Sequence, residues 1–270
     1  MKYINISKCF NFKEVLYFIK FIMNRYTKYT MKANPKIIIH RANDRGSMKI
    51  DWLDTHYSFS FNNYYDPKKM GFGKLRVLND DTISAGKGFG SHGHDNMEII
   101  TIILSGSLQH KDSMGHTENI NIGEVQVMSA GSGIVHSEYN ASKTQACSLL
   151  QIWITPKQSN IEPRYDQKKF DFKQDHVTEI VNGEKDVDMK KILYINQNAK
   201  LSIAHFKKGK NISYELQERN GAYIFVIGGK IAVGENILEK RDAIGVSDLK
   251  NLDIQFVDNS QILIIEIPMD

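Results

Sequence analysis

Cysteine is scarce: Cys9 and Cys147 are the only two in 270 residues, and they lie far apart. No Cys-x-x-Cys pair is present, so no disulfide framework can be read. That suits a reducing compartment, and a cytoplasmic location is the expectation. No apolar run approaches the about 20 residues of a membrane helix, so no membrane span is expected. Positive charge is not concentrated either. The 35 Lys and Arg are scattered among 31 Asp and Glu, leaving a net charge of +4 and a pI near 8.8. Without a basic stripe, direct nucleic-acid binding is not expected. What is present is ordinary core material: 41% hydrophobic and 24% charged residues. That composition packs and does not describe a disordered chain. The length suits one large or two medium domains.

Val15 to Met23 reads VLYFIKFIM, interrupted by Lys20. It is too short to span a bilayer and has no small-residue cleavage site of a secretory signal. Organised patterning begins after Met31. Residues 1–30 therefore read either as an extra helix or, the favoured reading, as an extension outside the fold and upstream of a true start at Met31.

From residue 36 the chain reads as short strands separated by turns, an all-β pattern. Lys36–His40 is a first candidate. Tyr57 to Phe61 alternates aromatic and small polar residues, the period of a half-buried strand. Leu75 to Leu78 follows, closed by a turn at Asn79-Asp80-Asp81. Gly86, Gly88 and Gly90 give a flexible approach to His92-Gly93-His94. Glu98 to Leu104 is strongly β-branched, and Ser107 to Lys111 returns beside it after Ser105-Gly106. Ala146 to Ile154 is a long apolar strand. Residues 157–182 are polar, with Pro163, and read as a connection holding a short helix near Tyr165 to Phe170. Beyond it the rhythm repeats. Ala222 to Lys230 resembles Glu98 to Gly106, and Arg241 to Ser247 resembles Ile122 to Ser129. Two copies of one β-barrel unit follow, of roughly 120 residues each: residues 36–156 and residues 183–270. The second copy has no His-x-His, so metal chemistry is expected in the first.

Nine histidines are present, and an isolated one in a β protein is ordinarily a surface or hydrogen-bonded residue. His92 and His94 differ, because alternate residues of an extended segment share a face. His136 and Glu138 repeat that spacing. Antiparallel strands can bring the two pairs together inside a barrel. Three imidazoles and a carboxylate suit Fe(II), Mn, Ni, Cu or Zn over Ca or Mg. Gly93 leaves room for close approach, and Gly131 and Gly133 form a tight turn that aims His136 inward. His110 and His116 sit on a hairpin and read as exposed. Cys147 reads as core.

Three blocks in this stretch resemble one family. They are His92-x-His-x-x-x-Glu-Ile99, Leu104-Ser-Gly-Ser-Leu-Gln-His-Lys-Asp-Ser-Met-Gly115, and Met128-Ser-Ala-Gly-x-Gly-Ile-x-His-Ser-Glu-Tyr-Asn140. Trp52-Leu-Asp54, Ser58-Phe-Ser-Phe-Asn62, Tyr64-Tyr-Asp-Pro67 and Leu149-Leu-Gln-Ile-Trp-Ile154 add to them. Together they resemble the pirin family of the cupin superfamily, over residues 36–268, and its bacterial quercetin 2,3-dioxygenase-like members in particular. The resemblance implies a bicupin, two jelly-roll barrels with one metal in the first. It implies His92, His94, His136 and Glu138 as metal ligands, with Fe(II) as the expected ion. Glu98 stands where many cupins carry a carboxylate ligand and is read as a residue supporting the metal from behind its ligands. The implied activity is cleavage of flavonols such as quercetin with O2, releasing carbon monoxide, with Glu138 accepting the proton of the 3-hydroxyl. Ile99, Ile103, Val127 and Ile134 are candidate walls for the planar ligand.

A different reading is a metal- and redox-sensing regulatory protein acting through a protein partner. A sugar-phosphate isomerase is a third, but no Arg or Lys cluster accompanies the four ligands to hold a phosphate; Lys111 on the neighbouring hairpin is the one basic residue that speaks for it. No heptad or exposed apolar stripe argues for assembly, and a monomer is expected.

Overall fold

The computed structural model describes residues 35–184 and 188–270; the reading of residues 1–30 lies outside them. The fold is all-β, as expected, with two cupin-type sandwiches in one chain. Each half has a seven-stranded and a four-stranded sheet. In the first half the large sheet runs, in spatial order, Arg164–Lys169, Glu124–Ser129, Glu98–Ser105, Cys147–Ile154, Leu75–Ile83, Leu53–Tyr57 and Gly46–Lys49. Its small sheet runs Gly88–His94, Ile134–Asn140, Ser107–Asp112 and Thr117–Asn121.

The two large sheets pack back to back. Ile100, Ile102, Leu150 and Ile152 of the first half share one apolar cluster with Leu201, Tyr223, Leu263 and Ile265 of the second. The opposite faces line the sandwich interiors. Ile103, Leu108, Ile120 and Leu149 close the first, and Ile224, Val226, Ile254 and Phe256 fill the second. A sheet covered on both faces explains why Glu98–Ser105 is a continuous apolar run without alternation. Burying such side chains contributes about 1.5–3 kcal/mol each, so the shared cluster ties the halves together.

Several local expectations are corrected. Lys36–His40 does not join the first half. It pairs with Ala243–Ser247 at the edge of the second half's large sheet, and the His40 ring hydrogen-bonds the Tyr223 hydroxyl at 2.8 Å. Residues 157–182 are not merely a connection. Residues 165–170 form no helix; Arg164–Lys169 is a strand on Glu124–Ser129, its polarity that of an edge strand. His176–Asn182 pairs with Lys200–Phe206 and belongs to the second half. The strand expected at Tyr57 to Phe61 instead ends at Tyr57, and Asn62 takes a positive φ of 51°. Asn79-Asp80-Asp81 is no turn: Leu75–Ile83 runs straight through it. Gly88 to His94 is likewise a strand.

Candidate metal centre

The centre is assembled on the small sheet of the first half. Gly88–His94 runs antiparallel to Ile134–Asn140, with His136 directly opposite His92. Beyond that pair the register slips: Glu138 faces Phe89, so Gly90 and Ser91 together oppose Ser137. Such bulges re-aim side chains beside functional sites. Gly88 permits the close strand approach, because a Cβ there would lie 2.1 Å from the Glu138 carbonyl oxygen. Gly131 takes φ +50°, and a Cβ on it would lie 2.1 Å from the Ile161 carbonyl oxygen. The tight turn before His136 is therefore built as the glycines implied.

The three imidazoles converge. Ring centroids are 4.4 Å apart for His92 and His136, and 4.9 Å for His94 with each of the other two. One nitrogen from each lies within 4.8 Å of the others. His92 Nδ1 lies 2.7 Å from the Gly90 carbonyl, which can only accept, so His92 Nε2 is the nitrogen left free. His136 Nε2 is buried with no hydrogen-bond partner. Glu138 joins through His136: it groups with His136 and His110, and not within the same span as His92 and His94. Glu138 Oε2 accepts a bond from Gln151 Nε2 at 3.0 Å, while Oε1 is buried and unpartnered. Orphaned buried polar atoms of this kind require a partner, and a divalent transition metal is the partner that this donor set fits.

Electrostatics agree. Burial, then the neighbouring His92, brings His94 down to about 4. Burial and the surrounding histidines hold His136 far below the ordinary imidazole range. Both are neutral at pH 7, with lone pairs to offer. Burial pushes the Glu138 carboxyl up to about 7, so it exchanges a proton near neutrality.

A cavity of about 730 Å³ opens onto His92, His94 and Glu138. Its apolar walls are Trp52, Phe61, Phe89 and Trp153, and Asn79 and Asp81 supply polar lining. Trp153 meets His94 edge to face at 4.9 Å. The four aliphatic walls expected from the sequence do not line it. Val127 faces the cluster between the halves, Ile103 is interior packing, and Ile99 and Ile134 pack beneath Trp153. The aromatic walls were missed because three of the four come from segments distant from the histidine motifs.

Two further placements differ from expectation. Glu98 is buried but on the other face of its strand: it shares the face of Ile100, accepts a bond from Ser129 at 2.7 Å, and makes no hydrogen bond to His92, His94, His136 or Glu138. Gln151 holds Glu138 instead, backed by Thr101 donating to its Oε1 at 3.0 Å. His110 is not exposed but fully buried. Along Ser107–Asp112 the residues Leu108, His110 and Asp112 face inward and Lys111 outward, a count of two that was available in the sequence. Cys147 is buried as expected, its thiol pushed up to about 11 by burial. Among the described residues, clusters of metal-type ligands occur only in the first half, and no helix is long and apolar enough to cross a membrane.

The family model described as Pirin matches residues 39–154, and that described as Quercetinase C-terminal cupin domain matches residues 185–267. Quercetin 2,3-dioxygenase of Escherichia coli (strain K12) is 38% identical over 232 residues, 86% of this chain and 99% of that protein. A pirin-like protein of Caulobacter vibrioides is 35% identical over 218 residues, 80% of this chain and 92% of its own length. The crystal structure of a bacterial pirin from Escherichia coli in complex with nickel(II) superposes with a TM-score of 0.81 at 37% identity, covering 86% of this chain and 99% of that one. The chain belongs to the pirin family.

Proposed function

We propose that this protein is a metal-dependent oxidoreductase of the quercetin 2,3-dioxygenase type, cleaving a flavonol with O2 and releasing carbon monoxide. His92, His94, His136 and Glu138 hold one divalent transition metal, Fe(II) in first place, with Mn, Ni, Cu and Zn as alternatives. The observation that carries the reading is the cavity itself: aromatic walls for a planar ligand, opening onto the imidazoles of His92 and His94 and onto Glu138, whose Oε1 has no hydrogen-bond partner. The name of the Escherichia coli relative supports the substrate class.

A bound metal supplies Lewis acidity toward a hydroxyl oxygen. The chain supplies the rest. Trp52, Phe61, Phe89 and Trp153 stack on the rings and exclude water. Glu138 Oε1 accepts the proton of the 3-hydroxyl when it is detached from the metal or holds it only loosely. Gln151 anchors the other oxygen, so the carboxylate keeps its aim through the transfer. The protein works as a monomer on a flavonol and O2, without direct nucleic-acid contact, and its buried thiol suits the reducing cytoplasm.

The test is aerobic turnover of quercetin by protein loaded in turn with Fe(II), Mn(II), Ni(II), Cu(II) and Zn(II), beside a His92→Ala, His94→Ala control. Metal-dependent loss of the flavonol absorbance with carbon monoxide release, absent in the control, is the expected result. Stoichiometric metal binding without turnover sinks the dioxygenase and leaves the regulatory reading, a metal- and redox-sensing protein acting through a partner.

A further inference from the structure

Behind His136 lies a chain of buried polar groups that the proposed reaction does not use. The strand Ser107–Asp112 places Asp112 opposite His136 and His110 opposite Glu138. His110 Nδ1 lies 3.4 Å from His136 Nδ1, and His110 Nε2 lies 3.0 Å from Asp112 Oδ2. Asp112 is itself fixed. Its Oδ1 accepts the backbone N–H groups of Met114 at 2.9 Å and His116 at 3.1 Å, and His116 Nδ1 lies 3.0 Å from Oδ2. Tyr165 stacks on both imidazoles, 4.7 Å from His110 and 4.8 Å from His116, at 28° and 23°.

Donor and acceptor arithmetic along this chain has one solution. Burial pushes the Asp112 carboxyl up, but the bonds from His110 and His116 bring it below its ordinary value, so it is an acceptor with no proton to give. His110 Nε2 must then carry the proton. A proton on His110 Nδ1 would make His136 Nδ1 the acceptor and put the His136 N–H on Nε2, which is buried with no acceptor in reach, so His110 Nδ1 is the lone pair. The hydrogen bond to His136 therefore needs the proton on His136 Nδ1. That leaves His136 Nε2 as a bare lone pair, and it is the ring nitrogen without a partner.

We propose that Asp112 and His110 are positioning residues that lock His136 in the Nδ1–H tautomer and present its Nε2 to the metal, with Tyr165 holding the ring planes. His110 is thereby excluded as a ligand, although it falls in a group with His136 and Glu138, because its one lone pair is already engaged. The tautomer stands on the hydrogen bonds alone; its consequence for metal affinity rests on the metal-centre reading above.

The experiment has two readouts on the full chain. First, imidazole nitrogen shifts of isotopically labelled, metal-free protein at neutral pH assign the tautomers. His136 protonated at Nδ1 and His110 at Nε2 is the expected result; His136 protonated at Nε2 overturns the proposal. Second, Zn(II) and Ni(II) affinities are measured by chelator competition. His110→Ala is expected to weaken both by roughly 10–100-fold, the usual effect of removing a group that orients a metal-bound histidine. His110→Asn, whose Oδ1 can replace the Nδ1 acceptor, is expected to recover most of that. Unchanged affinity in His110→Ala, with only a lower apo melting temperature, overturns the positioning role. If His110→Ala fails to fold, Asp112→Asn gives the same decision: a mixed His136 tautomer supports the proposal, and an unmixed one refutes it. A wild type that shows the assigned tautomers yet binds neither ion overturns the metal reading and not the hydrogen-bond assignment.

Discussion

Replacing Asp81 by Asn isolates the energetics of a carboxyl set into the cavity wall. Asp81 is 4% exposed, accepts a bond from the Thr55 hydroxyl, and among the described residues has no ion-pair partner. Its neighbour Asp80 points to the other face and takes both Arg45 and Arg241. Burial pushes the Asp81 carboxyl from 3.8 up to about 7. The folded chain therefore keeps a proton that the unfolded chain releases. The stability this group contributes is fully present below about pH 4, declines as pH rises, and is lost above about pH 7. At about 1.36 kcal/mol for each pH unit of that interval, the loss is bounded at about 4 kcal/mol. The amide introduced by Asp81→Asn would keep the shape and the acceptor for Thr55 without ionising. Urea unfolding of metal-free wild type and Asp81→Asn, at about pH 4.5 and about pH 8.5, measures the difference directly. The stability of the variant relative to wild type should rise by about 2–4 kcal/mol between those two pH values. Curves that stay parallel with pH would refute the argument, because they would mean that Asp81 ionises in the fold as easily as in the unfolded chain.

Two further outcomes follow from the same interior. Gln151→Leu removes the donor to Glu138 and the acceptor for Thr101 together, leaving two buried groups unsatisfied at about 1–3 kcal/mol each. A fall of that size in apo stability by denaturant titration, with Zn(II) affinity weakened about tenfold through the loss of about 1.4 kcal/mol at Glu138, is the expected result. Glu98→Gln is the contrasting case. It alters a bond with Ser129 on the far face of the sheet, so Zn(II) affinity should stay within about twofold of wild type, as for distant independent sites. A large loss measured by the same titration would return Glu98 to the metal.

How much of this could be read in the sequence depended on whether the deciding contact was local. His92 and His94 announce themselves because a spacing of two on an extended segment forces a shared face, and Gly131 shows the turn that aims His136. Pairing across the chain is another matter. Nothing within Lys36–His40 says that its partner lies two hundred residues onward at Ala243–Ser247. Asn79-Asp80-Asp81 has the composition of a turn, and it is held as a strand only because each side chain has a distant reason to be there: the cavity for Asn79 and Asp81, and Arg241 of the other half for Asp80. Such breaches of local preference are expected where a site is built.

Glu98 exposes the deeper difficulty. In a sheet with one wet face, a buried carboxylate must point inward, and its burial identifies its side. Here the large sheet is covered on both faces, so burial carries no such information. Successive residues of Glu98–Ser105 divide between the cluster joining the halves and the interior that holds His92, His94, His136 and Glu138. Only a neighbour of known direction settles which is which. Ile100 in the shared cluster settles it for Glu98, and Thr101 bonded to Gln151 settles it for the metal side. The same reasoning explains why, among the described residues, the second half shows no cluster of metal-type ligands. Its interior face is occupied by Ile224, Val226, Ile254 and Phe256, so the volume that is an aromatic-walled cavity in the first sandwich is solid core in the second.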